Sequence, residues 1–458
     1  MKFHLISILI AFFVFTACNR DDEIRILFTG DILLSRNVRV EYQHRSASPW
    51  IHIKSLFQQA DLVVGNLEGA IGDTVHTSSL LFDINPNDIP MLREAGFNII
   101  TIANNHSCDL GEVGFEKTIE TLIANEIRPV GYDLSPQFFT VKGVVISIVA
   151  INTVPSGRDG SVNQVPSVET MQKLRLARTL SNVVIVSIHW GSELLEWTNK
   201  NQRVMAEWLI ENGADVIIGS HPHVVQQPEI INGKPVFFSL GNHLFDQKYP
   251  ATKEGLIADI RIRRGKIYCK GIVTHTAERS FFPETTAQID YSFRPVRTGD
   301  LFSIGAYTLL PVSLFGHHKY NLMFNAHSNG KRTWSTPPMS VVSLNRAKFD
   351  DEPESLFILE RHYSNMDGET GLRPYVYGVD DRGIHARWRG SALAWPIIDA
   401  QIMPCDNKTL CALHRGDSFI NIDQTAENTR IMTYQWNGFG FSGKTDSDIC
   451  EGCWKLYE

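Results

Sequence analysis

The chain has 458 residues, of which 43% are hydrophobic and 20% are charged, and its formal net charge is −7. This length allows two or three domains, and the composition is that of a globular protein rather than a disordered one. The acidic balance gives no electrostatic reason to expect a nucleic-acid partner.

The first residues have the pattern of an export signal. An apolar run over residues 3–15 follows a basic residue and is too short for an ordinary transmembrane helix. The run leads through a Thr-Ala pair to Cys18, which resembles a bacterial lipobox, so we expect a lipid on Cys18 that holds the protein to the membrane. A plain secretory signal cleaved just before Cys18, or a short signal anchor, is the alternative. The sequence therefore predicts a signal peptide over residues 1–17, a linker over residues 18–23 and a lipid-anchored protein of the bacterial cell envelope.

Apolar, strand-like runs then alternate with helical segments. Strands are predicted at residues 24–28, 61–64, 98–103, 141–150, 182–188, 214–218 and 235–240, and helices at residues 85–96, 111–125 and 202–212. The clearest helix places Phe115, Ile119 and Leu122 on one face at helical spacing. This alternation predicts a layered α/β domain over residues 24–280, with a sheet that is at least partly parallel.

Polar side chains of metal-binding type follow the predicted strands. They are Asp31, Asn66, Glu68, Asn105, His106, His189, His221 and His223. Since open α/β sheets bind ligands beyond the carboxyl ends of their strands, we expect these side chains to meet at one edge. Carboxylate, amide and imidazole groups suit Mn, Zn or Fe, and two such ions roughly 3.5–4 Å apart can hold a phosphoryl group and activate water. The ordinary alternatives are a helix-capping role for Asp31 and an exposed loop position for Glu68.

Six segments together resemble the CapA family, named for poly-γ-glutamate capsule biosynthesis, within the calcineurin-like metallophosphatase superfamily. They are FTGDILLSR (28–36), DLVVGNLEGAI (61–71), GFNIITIANNHSCDLGEVGFEKTIETL (96–122), IHWGSEL (188–194), GADVIIGSHPHVVQ (213–226) and GKPVFFSLGNHLFDQ (233–247). The resemblance covers most of residues 24–250. It implies a four-layer α/β sandwich with metal ions at the strand ends, in an envelope protein that contacts the capsule or poly-γ-glutamate polymer and its synthase complex.

The resemblance also implies roles for individual residues. Metal ligands are expected at Asp31, Glu68, Asn105, His189, His221 and His223, a proton donor or phosphate ligand at His106, and a substrate contact or bridging position at Asn66. Trp190 and Glu193 are expected to wall the substrate pocket, or else to be structural. The superfamily has a histidine where this chain has Leu33, and an aspartate where it offers Asn66 or Glu68. The sequence therefore predicts one or two divalent ions.

Near residue 279 the sequence pattern changes, and clear helical periodicity is no longer present. Residues 281–340 are predicted to be a connecting region, and residues 341–458, rich in short β-like runs, a mostly β domain. Cys405, Cys411, Cys450 and Cys453 lie in this half. Because an exported chain meets oxidising conditions, two disulfides are expected, as Cys405–Cys411 and Cys450–Cys453 or in a crossed pairing, with a zinc site as the rival interpretation.

Two functions fit these patterns. One is a dimetal hydrolase that cleaves a phosphoester or an envelope polymer. The other is a non-catalytic component that binds, tethers or exports an anionic polymer through a degenerate metal pocket. The full set of aspartate, asparagine and histidine ligands favours a retained metal, and therefore the hydrolase.

Overall fold

The computed structural model describes most of the chain. The described residues are 23–72, 81–133, 135–155, 167–276, 281–315, 319–349, 352–364, 368–390, 393, 395–404, 406–415, 429–444 and 450. Cys18, Cys405 and Cys453 lie outside them, so what the sequence predicts of these cysteines stays a prediction. Within the described ranges no helix is both long and apolar enough to cross a membrane.

The first part of the chain alternates strands and helices. In chain order it contains β1 (Ile24–Ile32), α1 (Arg36–Arg45), α2 (Lys54–Phe57), β2 (Leu62–Leu67), β3 (Ala70–Ile71), β4 (Asp83–Ile84), α3 (Pro90–Ala95), β5 (Ile99–Thr101), α4 (Gly111–Ala124), β6 (Arg128–Val130), β7 (Gln137–Val141), β8 (Val144–Asn152), α5 (Val168–Leu180), β9 (Val183–His189), α6 (Lys200–Glu211), β10 (Val216–Ser220), β11 (Val225–Gln226), β12 (Glu229–Ile231), β13 (Lys234–Phe237), β14 (Ser239–Leu240), β15 (Asn242–Leu244), β16 (Glu254–Arg263), β17 (Lys266–Thr276), β18 (Pro283–Ile289) and β19 (Val296–Arg297). Short 3₁₀ turns at Pro86–Asp88 and Pro250–Lys253 complete this part.

Two sheets pack face to face between two layers of helices. The first has the order β18-β17-β16-β1-β2-β5-β6, with β15 beside β1, and the second has the order β12-β13-β10-β9-β8-β7. Their facing sides share one apolar core that includes Phe28, Ile148 and Ile185. Helices α1 to α4 cover the outer side of the first sheet, and α5 and α6 cover the outer side of the second. The predicted four-layer α/β sandwich is therefore confirmed.

The strands at the centre of both sheets are buried on both faces. Every residue of β1, β2, β9 and β10 is buried, so these strands have the continuous apolar runs that sequence reasoning detects. Helix α3 ends as predicted at Gly96, whose φ of 120° lies in the left-handed region that glycine tolerates.

Helix α5 was not predicted because its sequence does not read as amphipathic. It packs against the second sheet on one side and the C-terminal sheets on the other, and even Gln172 and Lys173 are buried. Gln172 donates to Asp399 at 2.9 Å, and Arg175 pairs with the same carboxylate. A helix enclosed by protein on two sides has no polar face from which its period could be recognised.

The α/β unit extends beyond the predicted boundary at residue 280. Strands β18 and β19 both pair with β17, so the first sheet continues to Arg297. The predicted connecting region, residues 281–340, therefore contributes to this sheet and also contains all four strands of a further sheet.

The C-terminal half is built from four-stranded antiparallel sheets in which consecutive strands are neighbours. They are β20 (Ser303–Ile304), β21 (Tyr307–Ser313), β22 (Leu322–Ser328) and β23 (Lys331–Ser335); β24 (Val341–Ala347), β25 (Ser355–Ser364), β26 (Glu369–Asp380) and β27 (Gly383–Arg389); and β28 (Ile397–Ile402), β29 (Thr409–Arg415), β30 (Thr429–Trp436) and β31 (Phe441–Lys444). The mostly β character is confirmed, but the first of these sheets begins before residue 341.

A disulfide joins Cys411 on β29 to Cys450. The pairings Cys405–Cys411 and Cys450–Cys453 are therefore wrong, and a crossed pairing is present. Both sulfurs lie in the apolar cluster that includes residues of α5 and α6, so the bond holds Cys450 against the helical layer of the sandwich.

Candidate metal centre

Strand β1 brings Asp31 to the edge where several strands end. Asp31 lies level with Asn66 on β2 and with Asn242 on β15, both of which run parallel to β1. Its backbone N–H donates to Gly241 O at 3.0 Å. A Cβ atom at Gly30 would lie 1.9 Å from that carbonyl oxygen, so the close approach of these strands requires glycine there.

The carboxylate of Asp31 is buried and held from three directions. Asn66 Nδ2 donates to Oδ1 at 2.8 Å, and the backbone N–H of His221 donates to Oδ2 at 3.2 Å. His223 Nδ1 lies 3.4 Å from Oδ2. These contacts fix the orientation of Asp31, as is usual for a metal-binding carboxylate.

Glu68, just past β2, is buried without a hydrogen bond. Neither carboxylate oxygen has a partner among the described residues, and Oε1 lies 3.9 Å from His189 Nε2. Burial and the neighbouring Asp31 carboxylate raise the pKa of Glu68 well above its usual value. Ligand atoms of Asp31, Glu68 and His189 all lie within 4.8 Å of one another. A divalent cation would compensate both carboxylates, so the donor set fits a metal.

His189 ends β9 and faces the same point. Its Nδ1 lies 2.9 Å from Ser220 Oγ, and its Nε2 lies 2.8 Å from Asn105 Oδ1. Burial, followed by the nearby histidines, lowers the pKa of His189 well below its usual value. The ring is therefore neutral, which is the form that binds metals.

His221 and His223 occupy a strained turn after β10. Their φ angles are 96° and 59°, in the left-handed region that non-glycine residues rarely adopt. The bond from His221 N to Asp31, and one of 2.9 Å from Leu194 N to Pro222 O, hold this turn. The His221 ring centroid lies 4.8 Å from that of His189 and 6.1 Å from that of His223. The strain is therefore associated with gathering imidazoles beside the carboxylates.

The surroundings shift the pKa values of the two histidines of the turn in opposite directions. Burial, and then His223, lowers the pKa of His221 to about 4, and its Nδ1 is buried without a hydrogen bond. Burial alone would lower the pKa of His223, but Glu68, Asp31 and a hydrogen bond to Asn242 raise it to about 9. The protonated form of His223 is therefore favoured, and it offsets part of the negative charge of the carboxylates.

Asn105 and His106 lie on the loop after β5, which Asn104 holds in place. Asn104 Nδ2 donates to Leu67 O at 2.8 Å and to Asn66 Oδ1 at 3.2 Å, and its Oδ1 accepts from the His106 N–H. Asn104 was not predicted. Its proximity to Asn105 and His106 in the sequence was the available signal.

His106 lies at the rim rather than among the ligands. Its Nδ1 is 3.0 Å from Asp109 Oδ2, and its ring stacks on Phe82 with centroids 3.8 Å apart. The Phe82 N–H donates to the same Asp109 oxygen at 2.9 Å. Asp109 and Phe82 therefore orient His106, and no motif in the sequence indicates either role.

The residues predicted to contact substrate lie in three different environments. Asn66 is 5% exposed and uses both ends of its amide inside the protein, so it holds Asp31 instead. Trp190 is 2% exposed, stacks on Phe238 and donates to its carbonyl, so it is a core residue and does not wall the pocket. Glu193 is exposed on the adjacent loop, and its charge contributes to the raised pKa of Glu68. Asn242 lies on β15, and its Oδ1 is 2.9 Å from His223 Nδ1.

Residues 25–247 match the family model described as bacterial capsule synthesis protein PGA_cap. The chain is 28% identical over 262 residues to the PGA biosynthesis protein CapA of Bacillus subtilis, covering 53% of this chain and 69% of that protein. It is 26% identical over 274 residues to the capsule biosynthesis protein CapA of Bacillus anthracis, covering 53% and 65%. A probable polyglutamine synthesis accessory protein of Mycobacterium tuberculosis is 25% identical over 243 residues, covering 47% and 64%. The second and third matches thus span a little less than two thirds of those relatives.

Proposed function

Because residues 25–247 place the chain in the CapA family, whose domain has a metallophosphatase-like fold, we propose that this protein is a metal-dependent hydrolase acting in capsule synthesis at the bacterial cell envelope. Its proposed substrate is a phosphoester or an envelope polymer of the poly-γ-glutamate kind. The names of the relatives support the capsule role. The polymer and its synthase complex are the proposed partners.

One observation carries the proposed chemistry. Asp31, Glu68 and His189 gather buried ligand atoms within 4.8 Å, and Glu68 receives no hydrogen bond there from the described residues. Two neighbouring carboxylates in a buried site repel each other, and His223 offsets only part of their charge, so such an arrangement supports cation binding. The other three predicted ligands each adjoin one member of this group: Asn105 Oδ1 lies 2.8 Å from His189 Nε2, His223 Nδ1 lies 3.4 Å from Asp31 Oδ2, and the ring of His221 lies beside that of His189. A bound divalent ion would supply a Lewis acid and a water of lowered pKa.

The protein's own groups would position the substrate and move a proton. His106 is half-buried at the rim, with Nδ1 directed to Asp109. Its Nε2 is therefore the atom that can give a proton to a leaving oxygen or contact an anionic substrate group. Stacking on Phe82 limits the rotation of the ring and keeps Nε2 in one direction.

The non-catalytic alternative rests on Leu33. This side chain is fully buried in the apolar core beneath the α1 layer, so the position where the superfamily has a histidine supplies no ligand. The site has one imidazole fewer, and in this alternative it would bind an anionic polymer without cleaving it.

The test is metal analysis of the purified full chain, followed by assays with phosphodiester and γ-glutamyl substrates. We expect bound divalent metal and hydrolysis in at least one assay, with both lost in His221→Ala and both kept in His44→Ala, a control at an exposed histidine. Metal without turnover would favour the polymer-binding alternative. Absence of metal, with wild-type behaviour of His221→Ala, would reject the metal centre.

A further inference from the structure

A second cavity lies away from the metal centre, between the α/β sandwich and the first two C-terminal sheets. Its volume is about 440 Å³, and none of the proposed metal ligands lines it. Helix α4 and the start of α5 contribute one wall, and segments next to β21, β24 and β25 contribute the other. The charged residues of its lining are Glu112, Glu116, Asp133, Glu169, Lys173, Lys319 and Arg361.

These seven charged groups face one space without pairing. In the described part of the chain none of them forms an ion pair with a nitrogen–oxygen distance of 4.0 Å or less. Four are acidic and three are basic, so the cavity presents both signs of charge. Oppositely charged side chains lining the same cavity would gain energy by contact, and their separation leaves room for a ligand that carries both charges.

Lys173 is the most constrained of these groups. It is 8% exposed in the middle of α5, and no described residue hydrogen-bonds to its ammonium group. Burial lowers the pKa of Lys173, while the charges of Asp133 and Glu169 act in the opposite direction from beyond contact distance. Lys173 lines the cavity and its ammonium group has no partner among the described residues, so a ligand carboxylate in the cavity would supply one.

We propose that this cavity binds a small zwitterion, a free amino acid or a short peptide, with its carboxylate against Lys173 and its ammonium group near the glutamates of α4. Glu112 and Glu116 are one helical turn apart and lie on the α4 side of the cavity. Phe115 and Val341 add apolar surface for the carbon atoms of the ligand. The volume falls in the range typical of small-molecule sites, roughly 300–1,000 Å³.

The experiment is calorimetric titration of the full chain with four probes: L-glutamate, glycylglycine, succinate and 1,4-diaminobutane. At least one zwitterionic probe should bind, and more tightly than both succinate and the diamine. Lys173→Met should weaken that binding by about tenfold or more, since it removes a charge-assisted hydrogen bond. Lys348→Met, at an exposed lysine outside the cavity, should leave the affinity unchanged.

Two exposed rim variants keep the test decisive if Lys173→Met does not fold. Arg361→Gln and Glu116→Gln each remove a lining charge without opening the core, and each should weaken binding of the same probe. Absence of saturable binding for every probe overturns the proposal. Equal affinity for succinate and for the zwitterions, or rim variants that bind like the wild type, also overturns it.

Discussion

Asn66 donates its side-chain N–H to Asp31 Oδ1 at 2.8 Å, while its amide oxygen accepts from Asn104 and Thr101. The oxygen of Asn66 is thus engaged in the interior, and only its nitrogen faces the carboxylate. A nitrogen that bears hydrogens cannot bind a metal ion. Of the two residues offered for the bridging position by the sequence, Glu68 is therefore the one that can serve.

Replacing Asn66 tests this supporting role. In Asn66→Ala the ligands remain, but Asp31 loses a hydrogen bond that fixes its orientation, so metal affinity should fall by about 10–100-fold. Competition with a fluorescent chelator measures it. Asn87→Ala, at an exposed asparagine, is the matched control. Unchanged metal affinity in Asn66→Ala would show that the contacts of Asp31 with His221 and His223 are enough to hold the carboxylate.

Neutralising Glu68 should have opposite effects on stability and on metal binding. The carboxylate is buried beside Asp31 without hydrogen bonds, so Glu68→Gln should stabilise the metal-stripped protein by about 1–3 kcal/mol. The same change should remove high-affinity metal binding. Thermal unfolding in EDTA measures the first effect and metal titration the second. Glu207→Gln, on the exposed side of α6, should change neither stability nor metal binding. If Glu68→Gln were less stable than the wild type without metal, the Glu68 carboxylate would not be destabilised by Asp31.

Substitutions of His221 and His106 should have different effects on metal binding and on turnover. His221 lies among the ligands with a buried, unpaired Nδ1, so His221→Ala should reduce bound metal. His106 is held at the rim by Asp109 and Phe82, so His106→Ala should retain metal and lose turnover by about 10²–10⁴-fold. Metal analysis and rate measurements on the same preparations make the comparison. Loss of metal from His106→Ala would make it a ligand and contradict this division.

The disulfide between Cys411 and Cys450 should stabilise the C-terminal half. Mass spectrometry of the non-reduced protein should find the two peptides linked, and Cys411→Ser should lower the free energy of unfolding by about 2–4 kcal/mol. Reductant should destabilise the wild type more than it destabilises Cys411→Ser, since the variant no longer has this bond to lose. A Cys405–Cys411 peptide in the non-reduced digest would contradict the observed pairing.

The lipid anchor remains a prediction from the sequence. An apolar run ending before Cys18 predicts that Cys18→Ser releases the protein from the membrane fraction or leaves it unprocessed. Fractionation and intact-mass measurement test this. Unchanged processing with unchanged detergent extraction would exclude the anchor.

The sequence was most informative where strands are buried on both faces. Strands such as β9 and β10 have continuous apolar runs, and the side chains at their ends, His189 and His221, could be placed on one edge by a general rule of α/β sheets. Trp190 directly follows His189 at the end of β9. Side chains at successive positions point in different directions, so a place next to a ligand does not put a residue in the site. The ring of Trp190 therefore turns into the core, an outcome that depends on packing with Phe238.

Contacts between distant segments could not be predicted. Phe82 and Asp109 meet at His106 through a hydrogen bond from the Phe82 N–H to the Asp109 carboxylate, and neither segment has a motif that indicates this contact. Helix α5 was missed because both of its sides are covered. The disulfide pairing likewise depends on how the last sheet lies against the helices, which spacing between cysteines does not determine.

The position of β1 determines when the metal centre can form. One edge of β1 pairs with β2, but the other is covered by β16 along residues 24–28 and by β15 at Asp31. The ribosome therefore makes the first strand long before two of its three neighbours, and Asp31 lacks the Gly241 carbonyl until then. A nascent chain that has not yet reached β15 therefore has no complete site, since the contact of Asp31 with Gly241 needs this later segment. For an exported protein, the ion would then come from the compartment in which folding ends rather than from the one in which the chain is made.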